Sequence, residues 1–204
     1  MASEKMKIRI AFLSAIITLV SFLYKLSLGI ITTSMVLIIA SFSTLMVFVC
    51  KILYAKFFTQ SREKKKRAYF FMAIAAASFV GLFILFSVLK IGGVDTAKQN
   101  NFSGWVNILF IAFILLMFVL SIINLKGALQ KDDIIVTGIK EMTFISALTD
   151  VAIILEFITR TVYKYVGRIP TGLLIANNYA PIAVSVFMII VVVSMFKRHA
   201  TYKA

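Results

Sequence analysis

The 204-residue chain holds one cysteine, Cys50, and one histidine, His199. A lone cysteine excludes an intramolecular disulfide and a cysteine-rich metal site, and a lone histidine excludes a histidine-based metal centre within one chain. Acidic residues are scarce as well. Eight Asp+Glu stand against 22 Lys+Arg, a formal net charge of +14, and charged residues of both signs make up only 15 %, where about 25 % is usual in soluble domains. The chain has no Cys-x-x-Cys, no glycine-rich phosphate loop, no arginine-repeat helix and no Thr-Val-Gly-Tyr-Gly filter. Thiol redox chemistry, ATP binding, voltage sensing and potassium-channel selectivity therefore lack their motifs. Nor do the apolar stretches contain a Ser–His pair, paired histidines for zinc, or clustered aspartates for magnesium, the residues on which membrane proteases, phosphatases and lipid synthases depend. No metal or cofactor is expected, and the chain does not read as an enzyme.

What the sequence has in excess is apolar surface. Hydrophobic residues make up 61 %, and the mean hydropathy is +1.00. A soluble domain of this mass has too little interior to bury so much, so the composition predicts an integral membrane protein. Six apolar runs, at about 8–24, 29–50, 68–90, 105–125, 142–163 and 175–196, each approach the 17–25 residues that a helix needs to cross the hydrocarbon layer. They do not alternate polar and apolar as barrel strands would. The expected fold is all-α: a single polytopic transmembrane domain, a six-helix bundle over 1–204.

Orientation follows from the basic residues, which accumulate in cytoplasmic loops. With the N-terminus inside, sixteen of them fall on the cytoplasmic side, among them Lys5, Lys7, Arg9 and the seven from Lys51 to Arg67. Six fall outside, Lys25 among them. Both termini are therefore expected in the cytoplasm, with Glu141 counted among the cytoplasmic acids. The same bias explains the net charge without nucleic-acid binding. The run Arg62-Glu63-Lys64-Lys65-Lys66-Arg67, read as part of a loop, serves as an orientation signal; anionic lipid headgroups are its possible partner. A cleavable signal peptide ending at Ser27-Leu28-Gly29 is the alternative start, disfavoured because the second run follows at once. The sequon Asn101-Phe102-Ser103 is taken as coincidence. Short loops and an Ile/Lys/Phe-rich composition point to a bacterial plasma membrane.

Polar side chains inside the spans are the best guide to function, because each is costly in lipid unless it faces protein or water. The fifth span carries three charges. At 1.5 Å per residue Asp150 lies about 12 Å into the core, Glu156 about 21 Å and Arg160 about 27 Å. Glu156 and Arg160 are four residues apart and can pair. Asp150 has no cation at i+3 or i+4, so it must have a partner elsewhere, be protonated or meet water; Thr18 or Ser14 on the first span lies at similar depth and could bond it. Ser14, Thr18, Ser21 and Lys25 form one face of that span, where hydroxyls serve mainly to glue helices. Asn177 and Asn178 on the sixth span fall level with Glu156 and Arg160. With Tyr163, Tyr179, Trp105 and Asn107 they could line a polar vestibule floored by Asp150, just above the kink expected at Pro181; the alternative is an interfacial belt, where Trp and Tyr are expected anyway. Ala73, Ala77 and Gly81 repeat at four-residue spacing, a small-residue surface for helix packing.

Two functions fit. The first is small-solute or ion transport, alone or as the membrane subunit of a transporter, with Asp150, Glu156, Arg160, Asn177 and Asn178 as substrate or ion contacts. The second is a non-transporting accessory (immunity, assembly or regulatory) that acts through helix contacts, alone or with other membrane subunits.

Overall fold

A computed structural model of the chain describes residues 2–31, 34–57, 59–91, 104–129 and 133–202. They form six helices: α1 (Ala2–Ile31), α2 (Met35–Phe57), α3 (Arg62–Ile91), α4 (Gly104–Leu129), α5 (Ile134–Val166) and α6 (Thr171–Thr201). No strand occurs among the described residues. Five of the helices, all but α4, meet the length and apolarity needed to cross a membrane over their described residues. Apolar helices in this number suggest a membrane protein.

The helix boundaries follow from caps. Ser34 opens α2, its Oγ accepting from Leu37 N at 3.4 Å and its carbonyl from Ile38 N at 3.1 Å. Asp133 opens α5, with Oδ1 accepting from Ile135 N at 3.0 Å and Val136 N at 3.4 Å, which satisfies orphan donors of the first turn. At the other end of α5, Gly167 takes the left-handed conformation, φ 72°, and its N–H closes on Tyr163 O at 2.9 Å. Glycine carries no Cβ to clash there.

Two boundaries differ from the apolar runs. Helix α1 continues through Lys25 to Ile31, so the reversal into α2 falls near Ser34 and not at Lys25. The reason is that Lys25 is not in water at all: it is 8 % exposed and ion-paired inside the bundle. The basic run from Arg62 to Arg67 is the opening of α3 rather than a loop. The segment 92–103, with its Gly92-Gly93 pair and sequon, lies outside the described residues, as do the side chains of Trp105 and Asn107.

Helix α5 is the hub. It packs against α2, α3, α4 and α6, whereas α1 among the described residues packs its backbone only against α2. Within their most apolar stretches 67 % of α5 is buried in the bundle and 11 % of α1. One core joins α3, α5 and α6 with the C-terminal half of α2, around Tyr69, Phe83, Ile135, Met142 and Met188. A second joins the N-terminal half of α2 to α4 and α5, around Leu37, Ile114, Ile153 and Phe157.

Two glycines permit close approach. A Cβ on Gly29 would stand 2.8 Å from Ile38 Cγ1 and 2.9 Å from the Ile38 backbone nitrogen. A Cβ on Gly138 would stand 2.8 Å from the Tyr69 ring and 2.9 Å from Met72 Sδ. The expected packing stripe on α3 is split by the fold. Ala73 is buried and Ala77 half-buried, but Gly81 is exposed and a Cβ there would meet nothing within 4 Å.

Candidate functional site: a ladder of buried carboxylates on α5

Three carboxylates project from α5 into protein: Glu141, Asp150 and Glu156, which are 2 %, 9 % and 7 % exposed. With 100° of rotation per residue, Asp150 points about 180° away from Glu141, and Glu156 returns to about 60° from it. Each carboxylate therefore meets different neighbours at a different height along the helix.

Asp150 sits halfway along α5 and faces α1 and α2. Lys25 Nζ donates to both of its oxygens, at 2.7 Å and 2.8 Å, and to Thr44 Oγ1 of α2 at 3.2 Å. Ser14 and Thr18, the candidate partners on the first span, are engaged elsewhere. Lys51 of α2 donates to Ser14 Oγ at 2.8 Å, to the Ser14 carbonyl at 3.3 Å and to Thr18 Oγ1 at 2.6 Å. Helices α1 and α2 thus exchange lysines: each sends one ammonium to hydroxyls of the other. One turn before Asp150, Ser146 shares a hydrogen bond with Ser43 of α2 at 2.9 Å, which extends the polar seam along the same interface.

Glu156 lies toward the C-terminal end of α5. Arg160 Nη2 binds its Oε1 at 2.6 Å, the i,i+4 pairing expected from the spacing. Ser34 Oγ donates to the same oxygen at 3.1 Å, and Lys90 Nζ of α3 lies 3.8 Å from Oε2. Lys90 also donates to Asn177 Oδ1 at 3.2 Å. Glu156, Arg160 and Asn177 therefore do share one network. Lys90, near the end of α3, is its keystone. Asn178 is half-buried beside it, while Tyr163 and Tyr179 are exposed. Asp150 belongs to a separate cluster and does not floor this one.

The third carboxylate, Glu141, was counted among the cytoplasmic acids and not among the candidate site residues, yet it is buried in the bundle. Glu141 Oε2 accepts from Tyr69 Oη of α3 at 2.7 Å, and Oε1 lies 3.6 Å from Arg198 Nε of α6. The absent side chain at Gly138, one turn earlier on the same face, is what lets the Tyr69 ring lie close enough to reach it. At the N-terminus of α5, Asp133 combines its cap with an ion pair, Lys65 Nζ to Oδ2 at 3.0 Å. Each described carboxylate of α5 is thus bound by a cation from another helix.

The sequence signals for these partners were partial. Lys25 completes the Ser14–Thr18–Ser21 face, which marks it as inward-pointing, but nothing local couples it to Asp150, Lys90 to Glu156 or Arg198 to Glu141. Among the described residues no group of three or more His, Cys, Asp or Glu side chains could hold a metal ion. Comparison with protein-family models, with curated proteins and with solved structures finds no match for the chain.

Proposed function

We propose that this is a non-enzymatic, multi-pass membrane protein that translocates a small solute or ion, alone or as the membrane subunit of a larger transporter. It resides in a bacterial plasma membrane with both termini on the cytoplasmic side. The observation that carries this reading is the Lys25–Asp150 pair, held halfway along α5 with side chains 11 % and 13 % exposed. A buried ion pair is a poor stabiliser compared with apolar residues of the same volume, so its presence at this depth asks for a use. Lys25 occupies the place at Asp150 that a proton or a monovalent cation would take. It comes from α1, the least buried of the five apolar helices. Competition for Asp150 would free Lys25 and loosen α1 from the hub, which couples site occupancy to a helix movement. Glu156, Arg160, Asn177 and Asn178 serve as polar contacts nearer the opposite face.

The test is reconstitution of the full chain in liposomes loaded with a pH-sensitive dye, with sodium, potassium or lithium gradients imposed in turn. A cation- or proton-driven signal that disappears in folded Asp150→Asn supports the reading. An equal signal in that variant overturns it.

A second reading has its own support: every described α5 carboxylate is already engaged within the chain. An accessory protein acting through helix contacts needs no more than that. It predicts no flux under any gradient, with substitutions at Asp150 and Glu156 changing only stability.

A further inference from the structure

The Tyr69–Glu141–Arg198 cluster lies on the face of α5 opposite Asp150 and has no part in the proposal above. Tyr69 is fully buried and Glu141 is 2 % exposed, so the carboxylate has no direct access to bulk water. Tyr69 Oη satisfies Oε2 alone. The other half of the site is incomplete: Arg198 Nε is buried yet has no hydrogen-bond partner among the described residues, and at 3.6 Å from Oε1 it is beyond hydrogen-bond reach. A buried N–H left unsatisfied is costly, and so is a carboxylate lone pair left bare beside it. One water placed within about 2.9 Å of both would accept from Nε and donate to Oε1, and a polar niche of this kind is where buried waters are found.

Arg198 also supplies a way out. It stands in the last turn of α6, and its side chain is 29 % exposed while that of Glu141 is 3 %. The guanidinium therefore connects the buried carboxylate to the end of the bundle where α6 finishes and α3 and α5 begin.

We infer that Glu141 is a second proton-exchange site, served by a water bound between its Oε1 and Arg198 Nε. On acidification the bound water passes a proton to Oε1 as it takes one from a hydronium at the exposed side of Arg198: an O–H bond forms at Oε1, the one broken on the water is remade, the hydronium is left as water, and the bound water remains on Nε. Arg198 then loses its counter-charge and turns toward its exposed side. On deprotonation the pair re-forms. The groups facing Glu141 are Tyr69 from α3 and Arg198 from α6. Lys140 precedes it on α5 about 100° around the helix, on the side of Lys51 of α2. The site stands independently of transport, since a proton can exchange at Glu141 whether or not one crosses at Asp150.

The test uses infrared difference spectra of the full chain in lipid nanodiscs, recorded between alkaline and acid pH in light and heavy water. The wild-type difference spectrum should contain a carboxylic C=O component that shifts in heavy water, is lost from the spectrum of Glu141→Gln while the other acids still contribute, and persists in Asp150→Asn. Tyr69→Phe, which keeps the ring, should move the band's pH midpoint, because it removes the hydrogen bond to Oε2. The inference is overturned by the absence of a titrating band in the wild type or by an unchanged band in Glu141→Gln. Should Glu141→Gln not fold, an unmoved midpoint in Tyr69→Phe overturns it equally.

Discussion

Lys25 and Asp150 are separated by 125 residues, yet the ammonium of one lies within 2.8 Å of both carboxylate oxygens of the other. This joins the peripheral α1 to the hub α5 across α2, whose Thr44 completes the lysine's coordination. The arrangement is a strut between two helices whose backbones do not touch among the described residues.

Removing half of that strut should be far worse than removing all of it. Lys25→Met leaves a buried carboxylate without its cation, and breaking such a pair typically costs about 3–5 kcal/mol. The double variant Lys25→Met/Asp150→Leu should recover most of the loss. Thermal unfolding in detergent of the two single variants and the double variant measures the difference.

Hydroxyl removal at the neighbouring lysine should be mild by comparison. Ser14→Ala/Thr18→Ala takes two acceptors from Lys51 but strands no carboxylate, and interhelical hydrogen bonds in membranes average about 0.6 kcal/mol each. A loss near 1 kcal/mol in total is expected by the same unfolding measurement. A loss as large as that of Lys25→Met would mean that Lys51 and not Lys25 anchors α1.

Glycine substitutions should separate by neighbour. Gly29→Ala drives its Cβ against the Ile38 backbone, which cannot rotate away, and overpacking of this kind costs about 1–3 kcal/mol. Gly138→Ala presses on the Tyr69 ring and should also disturb the hydrogen bond to Glu141. Gly81→Ala meets nothing and should stabilise the helix by up to about 1 kcal/mol. Melting temperatures of the three variants in one detergent check the order.

Orientation can be read with cysteine chemistry, because the native Cys50 is only 3 % exposed and gives little background. In intact cells a membrane-impermeant maleimide should label Arg168→Cys and leave Thr59→Cys untouched. Permeabilised cells should label both. The reverse pattern would invert the topology expected from the basic residues.

Much of the fold was legible in the sequence because helix-length apolar runs have few other uses. The Glu156–Arg160 pair was legible as well, since four-residue spacing on a helix is a local property. What escaped was long-range charge compensation. Lys25 looked like the edge of a loop because a lone lysine usually marks water; its neutralising carboxylate lies on another helix. Glu141 was placed with the cytoplasmic acids because it adjoins Lys140 and precedes the fifth apolar run, and only the approach of Tyr69 and Arg198 makes its position interior to the bundle. Four-residue spacing identified Ala73, Ala77 and Gly81 as a smooth surface but not which part of it would find a neighbour. The close approaches occur at Gly29 and Gly138, which belong to no such repeat.

The distance in sequence between Lys25 and Asp150 also fixes an order of events during synthesis. A chain threaded from its N-terminus completes the α1–α2 hairpin while the residue that neutralises Lys25 has yet to be translated. In that interval Lys25 lacks its counter-charge, and α1 lacks its ion pair to α5. The Lys25–Asp150 pair can form only once α5 exists, so α1 is made well before the partner that ties it to the hub.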